Sequence, residues 1–515
     1  MRKLICLLFS ILLIYGCAVN PVTGEKELSI ISESQEISIG EKNYGPSRQM
    51  QGGDYVVNTE LTAYVNSVGQ KLVRVSDRKL PYEFVVLDNY TPNAWALPGG
   101  KIAVNVGLLV ELNNEAELAA VLGHEIVHAA ARHGAKSMQR GMLLQGALVA
   151  TGIAARNSDY ANLVVGGAQV AAGLVHTKYG RDDELEADHY GMLYMSRAGY
   201  DPRAAISLQE TFVRLSEGGS SNWLAGLFAS HPPSEARVEA NRATAANLPQ
   251  GGIFGTESYT NKIASLVKSR KGYESYAKGR EALDKGDYGK AHRFADKAIG
   301  VEPREGHFYA LRGDIYLQEQ RYNEALENYD RAIDLNGNYF YYYLQRGLTK
   351  KQLNRKQDAY ADLQSSTKLL PTAMAYNSLG ELELLSGSSQ RARQYFSEAA
   401  SSNSPAGKAA QIALLHMDFP QNAGDYIRIE VGLSRQGYVI ARISNNAILA
   451  IRDIELQIEY PDAAGRSHQT SRQLSGVIDA GNSSTVNLDL GPYNDAAVLN
   501  KLGIRVLGAR LSENN

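Results

Sequence analysis

The sequence predicts an α+β protein that is mostly helical, in three parts: a mixed domain near the N-terminus, a superhelix of helical hairpins, and a small C-terminal β-sandwich. Three observations lead there. Helix-spaced apolar positions dominate residues 34–246, broken by two short strand-like runs, Glu83–Leu87 and Lys101–Val106. Small residues recur every 34 positions from about residue 272. From Asp425 onward the apolar period becomes two.

The chain has 515 residues, 44% hydrophobic and 21% charged, with a formal net charge of −2. That composition is globular, and its near-neutral balance offers nothing to nucleic acid. Met1-Arg2-Lys3 is a basic start, and Leu4 to Tyr15 is an apolar run. The run is shorter than the ~20 residues of a spanning helix and reads as a secretory signal. Ile14-Tyr15-Gly16-Cys17 resembles a bacterial lipobox, although Tyr15 is larger than the residue usual there. The resemblance implies cleavage before Cys17 and lipid on that cysteine, which tethers a chain without any spanning segment. Cys6, the other of the two cysteines, would leave with the signal, so no disulfide is expected. Ala18 rather than Asp follows the cysteine, which by resemblance to Gram-negative lipoproteins points to the outer membrane. An ordinary signal peptide with an incidental cysteine is the alternative.

Turn formers Asn20-Pro21-Val22-Thr23-Gly24 make a leader between this segment (1–17) and a first domain spanning 18–250. Within that domain, Ser34–Gly40 and Asn58–Val75 read as amphipathic helices. Ala94 to Gly100 reads as a turn between the strands Glu83–Leu87 and Lys101–Val106. A helix from Asn113 to about Gly134 is entered through Asn113-Asn114 as caps. Met142–Ala155 and Leu163–Val175 are apolar but too short to span a bilayer. They read as buried or site-covering helices, with a membrane-dipping hairpin as the alternative. Helices follow over Asp182–Ala198, closed by Gly199, over Pro202–Glu217 and over Ser234–Ala246. The repeats, 272–405, keep Gly279, Gly313 and Gly347 in one register and Ala291, Ala325 and Ala359 in another. A degenerate fourth copy has Gly380, Ala392 and Ala399. Small residues at fixed places let paired helices approach closely, which is the tetratricopeptide signature. Residues 425–511 alternate in short strands with turns rich in Gly, Asn, Pro and Ser, and nothing there looks chemical.

The chemistry is concentrated in His124-Glu125-Ile126-Val127-His128. Residues four apart share one helix face, so two imidazoles can hold one zinc with a glutamate beside the open position. Zinc needs a third protein ligand and must keep a place for water. Arg181-Asp182-Asp183-Glu184-Leu185-Glu186-Ala187-Asp188 offers Glu184 and Asp188 on one helix face. One carboxylate could bind metal while the other holds a ligand histidine. Two histidines and a glutamate on a solvated helix face, beside an acidic run equally solvated, is the bland reading.

His124 to His128, followed by Arg181-x-x-Glu184-x-x-Ala187-Asp188, resembles the HtpX/BepA-like zinc metallopeptidases, a family that includes the CAAX prenyl proteases. Asn20 to Gly24, Asn93 to Gly100 and His231-Pro232-Pro233-Ser234-x-x-Arg237 resemble its periplasmic members, and the resemblance covers about residues 20–250. Gly180 departs from the usual Ser or Asn before the arginine. The lipobox and the C-terminal β domain depart as well. The resemblance implies a zincin-type domain holding one Zn2+ per chain on His124, His128 and Glu184, with Glu125 taking the proton from water. It implies that His231 approaches the metal, stabilising the oxyanion or filling the open position, and that Asp188 orients a ligand histidine or assists proton transfer. His133, His176 and His189 read as bystanders, and Arg181 and Arg237 as structural ion-pair partners. Lys101–Val106 is a candidate edge for an added substrate strand.

The expected function is an envelope endopeptidase for misfolded or misassembled outer-membrane proteins, in the periplasm on a lipid anchor, with the repeats docking envelope assembly proteins. The alternative is a chaperone or scaffold that uses the repeats with little proteolysis. A membrane prenyl protease fails for want of transmembrane segments.

Overall fold

The computed structural model describes residues 17–140, 164–165, 168–175, 178–217, 225–462 and 465–512. The signal segment before Cys17, the apolar stretch Met142–Ala155 and His176 lie outside them. The chain divides into two compact units between Ala375 and Tyr376.

The first unit opens on a hairpin of β1 (Cys17–Val19) and β2 (Lys26–Leu28), turned by the leader. Helix α1 (Glu33–Met50) runs well past the expected Gly40 and carries Pro46 inside it. Helix α2 (Thr59–Val73) starts where Asn58 accepts the Glu60 N–H, as its cap position requires.

Strands β3 (Glu83–Leu87), β4 (Ala94–Leu97) and β5 (Lys101–Asn105) form one sheet in the order β3-β5-β4. This corrects two expectations. The segment from Ala94 is a strand, and only Pro98 to Gly100 turns the chain. Lys101–Val106 is therefore no edge: β5 is central, parallel to β3 and antiparallel to β4. Its five residues are all buried, as a strand covered on both faces demands.

A short helix α3 (Val106–Leu109) leads to α4 (Glu115–Ala130). Asn114 accepts the Glu117 N–H at its start. Every residue of α4 is buried, so it is the central post of the domain rather than an amphipathic surface helix. Helix α5 (Ala168–Val175) buries Ala171, Leu174 and Val175 but leaves Val170 exposed, so it is buried on one side only. Helices α6 (Arg181–Arg197), α7 (Arg203–Glu217), α8 (Ala225–Ser230) and α9 (Glu235–Ala246) close around α4.

Helix α10 (Thr256–Asp284) passes through residue 272 and pairs with α11 (Tyr288–Val301) as the first repeat. The pairs α12 (Gly306–Gln318) with α13 (Tyr322–Leu335) and α14 (Phe340–Gln352) with α15 (Lys356–Leu369) follow. The glycine register has a steric cause: a Cβ on Gly313 would stand 2.7 Å from the Tyr329 ring. Ala291, Ala325 and Ala359 are fully buried in the same helix pairs.

Helix α16 (Ala373–Leu385) enters the second unit, followed by α17 (Ser389–Ala400) and α18 (Pro405–Tyr426). A Cβ on Gly380 would stand 2.6 Å from the Phe396 ring, which keeps the degenerate copy in register. Two three-stranded sheets follow. One is ordered β10-β7-β6, from β6 (Ile427–Leu433), β7 (Val439–Asn445) and β10 (Ser483–Asn487). The other is ordered β11-β8-β9, from β8 (Ala450–Pro461), β9 (Ser467–Ile478) and β11 (Gly503–Ser512). Ala441 and Ile443 of one sheet and Leu456 and Ile458 of the other share a core with Leu415 and Phe419 of α18.

Candidate metal centre

Two helices and one loop bring the polar residues together. Helices α4 and α6 cross where Gly123 meets Gly191: a Cβ on Gly123 would stand 3.1 Å from the Gly191 carbonyl oxygen. That close approach sets His124 and His128 of α4 against Glu184 and Asp188 of α6. The segment after α8 supplies His231, and α9 supplies Arg237.

The inner atoms converge. His124 Nε2 is 2.9 Å from His128 Nε2 and 3.2 Å from His231 Nδ1. Glu184 Oε1 is 3.4 Å from His128 Nε2 and 3.1 Å from His231 Nδ1, and its Oε2 is 3.5 Å from His124 Nε2. The donors of a tetrahedral zinc at its usual bond lengths stand about 3.4 Å apart, so this spacing fits that ion.

The outer atoms are fixed in the sense a metal needs. Asp188 can only accept, so His124 Nδ1, 2.9 Å from its Oδ1, carries the proton and leaves Nε2 a lone pair. Arg237 donates to both Asp188 oxygens, at 2.7 and 2.8 Å, and its guanidinium also lies 2.8 Å from Glu184 Oε2. His128 Nδ1 meets His133 Nδ1 at 2.8 Å, and the Tyr179 ring stacks on the His128 imidazole with centroids 3.8 Å apart. Glu125 Oε1 is 3.5 Å from His231 Nε2, while Glu125 Oε2 is buried with no hydrogen-bond partner among the described residues.

Electrostatics follow the burial. Burial pushes the Glu125 carboxyl above the usual range, against the pull of His231 and His124. Burial also drives His128 well below the ordinary imidazole value, with His124 adding to it. For Glu184 burial acts upward, but the charges of His231 and His124 and bonds from His128 and His231 outweigh it and hold the carboxyl well below its usual value. Asp188 is likewise held low against its burial, by Arg237. Beside the cluster lies a small pocket whose apolar wall includes Met192, Leu208, Phe212 and Leu227, with Ala94 of β4 also lining it.

The sequence-predicted residues Glu125, His124, His128, Glu184, Asp188 and His231 thus meet in one buried place. Arg237 makes the expected ion pairs, whereas Arg181 is exposed and makes none among the described residues. His189 bonds Thr244 at the surface and stays apart. His133 is a correction: it touches a core member of the cluster directly. Its contact depends on Arg132, whose φ of 65° ends the helix and turns the chain back. Five residues after His128 on an unbroken helix it would face well away. Tyr179 was not foreseen, and nothing in its sequence context marks it.

The family model described as Peptidase family M48 matches residues 59–245, and models described as TPR repeat and Tetratricopeptide repeat match 313–354 and 344–407. The chain is 28% identical over 350 residues to the beta-barrel assembly-enhancing protease of Escherichia coli (strain K12), covering 62% of this chain and 70% of that one. It is 27% identical over 328 residues to a putative beta-barrel assembly-enhancing protease of Vibrio cholerae, covering 57% and 65%. It is 36% identical over 183 residues to the mitochondrial metalloendopeptidase OMA1 of Schizosaccharomyces pombe, covering 34% and 51%. With the buried donor set in place, the chain is a zinc metalloendopeptidase carrying a peptidase family M48 domain and tetratricopeptide repeats.

Proposed function

We propose that this chain is a zinc-dependent endopeptidase of the bacterial cell envelope that cuts misfolded or misassembled outer-membrane proteins. His124, His128 and Glu184 hold the metal, and Glu125 is the general base. The observation that carries this reading is the convergence of His124, His128, Glu184 and His231 on one buried point. When bound, zinc supplies Lewis acidity toward water and a peptide carbonyl.

The chain's own residues do the rest. Glu125, buried and raised in proton affinity, takes a proton from water and returns it to the leaving amine. Asp188 holds His124 in the tautomer that offers Nε2, and Arg237 holds Asp188. Ala94 of strand β4 lines the pocket beside the cluster, and the apolar wall of that pocket can take a substrate side chain.

The client class rests on the names of the relatives in two bacteria and on the lipobox-like segment ending at Cys17. Lipid on Cys17 would hold the enzyme at the periplasmic face of the outer membrane, and the repeats would dock envelope assembly proteins. No helix among the described residues is long and apolar enough to cross a membrane.

One observation favours a second reading, a chaperone or scaffold with proteolysis held back. His231 sits against His124 and Glu184, where water must enter. Both readings are tested on protein lacking residues 1–17, as wild type, Glu125→Gln and His231→Ala, by elemental analysis and cleavage of an unfolded protein. One zinc per chain is expected. Glu125→Gln should keep the zinc and lose about 10²- to 10⁴-fold in cleavage. Faster cleavage by His231→Ala would mean self-inhibition. No zinc and no cleavage in any sample, even with zinc supplied, would leave only the scaffold.

A further inference from the structure

We propose that His133, Glu186 and Asn20 form a positioning chain that fixes the tautomer of His128 and ties the N-terminal leader to the metal centre. The inference rests on the zinc reading above and extends it to residues outside the cluster.

His124 and His128 are supported in different ways. The outer nitrogen of His124 faces a carboxylate, Asp188. The outer nitrogen of His128 faces another imidazole, His133, at 2.8 Å. Two facing ring nitrogens bond only if one donates and the other accepts. For His128 to offer Nε2 inward, its Nδ1 must donate, so His133 Nδ1 accepts and His133 carries its proton on Nε2. That nitrogen is buried with no hydrogen-bond partner among the described residues, and the groups nearest it are carboxylates: Nε2 lies 3.4 Å from Glu186 Oε1 and 3.6 Å from Asp183 Oδ1. The His133 side chain is fully buried, so water cannot serve instead. The acidic pair therefore selects the His133 tautomer, which selects that of His128.

Glu186 is itself held. Burial acts upward on its carboxyl, but the nearby His133, the Asn20 amide and the Lys136 charge outweigh it and keep it below its usual value. Asn20 Nδ2 donates to Glu186 Oε1 at 3.1 Å and to Glu27 Oε1 at 3.2 Å. Lys136 Nζ, on the helical segment that begins at His133, donates to the same Glu27 oxygen at 2.6 Å. Asn20 is buried and cannot move freely: its Oδ1 accepts the N–H groups of Val22 and Thr23, and its backbone pairs with Glu25. The leader motif, which reads in sequence as a mere spacer, thus has a place in the architecture of the site. Support at this distance from a metal typically changes its affinity 10- to 100-fold.

The test is zinc affinity, by competition with a chelating dye, together with the melting temperature of each zinc-free protein. His133→Phe keeps a ring and removes both nitrogens; zinc affinity should fall about 10- to 100-fold. His133→Asn places an amide oxygen near the former Nδ1 and should recover most of that loss. Glu186→Gln should lower affinity about 2- to 10-fold. Zinc-free melting temperatures that do not track these affinities would support positioning. Wild-type affinity in His133→Phe, or an Asn variant no better than Phe, would overturn the proposal while leaving the zinc reading intact. Wild-type protein that binds no zinc would overturn both.

Discussion

Two buried clusters in the first unit use the same residue types for different ends. One is His124, His128, Glu184 and His231; the other is Asp88, Glu305 and His307, where strand β3 ends against the repeats. In the first, outer partners occupy the far side of His124 and His128, and the inner nitrogens face each other. In the second, His307 spends both nitrogens locally: Nε2 meets the Gly52 carbonyl at 3.0 Å, and Nδ1 meets the Tyr342 hydroxyl at 2.8 Å. Tyr273 places its hydroxyl between the two carboxylates, 2.9 Å from Asp88 and 2.7 Å from Glu305. Residue types alone do not make a metal site; the direction in which lone pairs are left over does. The second cluster is a seam joining the peptidase domain to the repeats.

The contrast can be broken by removing one group from each. Arg237→Met leaves Asp188 and Glu184 buried without their cation, and the zinc-free protein should lose about 3–5 kcal/mol in urea unfolding. Tyr273→Phe removes one hydroxyl from the seam and should cost about 1–3 kcal/mol. Its zinc content should stay at that of wild type; a fall would mean that the clusters are coupled.

The smallest effect sharpens the contrast through pH. Burial, and then the neighbouring Glu305, raise the Asp88 carboxyl well above its ordinary value, against the Tyr273 hydroxyl. The fold therefore keeps a proton that the unfolded chain has already lost. Stability from this pair is full below the ordinary carboxylate value of about 4 and drains away as pH rises through the raised value. Asp88→Asn should flatten that decline in melting temperature. An unchanged slope would place the titrating group elsewhere.

The helix spacing in His124 to His128 and in Glu184 to Asp188 is a local property, so those residues could be found in sequence. The repeats were legible for the same reason, since the Gly313 and Ala325 registers record contacts within one helix pair. What escaped depends on chain reversal or distance. His133 reaches His128 only because Arg132 adopts a left-handed turn. The central place of β5 was hidden because Ala94–Leu97, flanked by Pro92 and Pro98, read as a turn. The seam joins Asp88 to residues more than 200 positions away, and no periodicity carries that information.

The leader has a consequence for reach. Asn20 is fixed to the peptidase domain, and Cys17 precedes it by three residues, a span of at most about 11 Å. A lipid on that cysteine would act less as a leash than as a mounting bracket. The cleft would be carried at a set height over the bilayer, and a polypeptide would be cut according to how far its loose segment stands off the membrane.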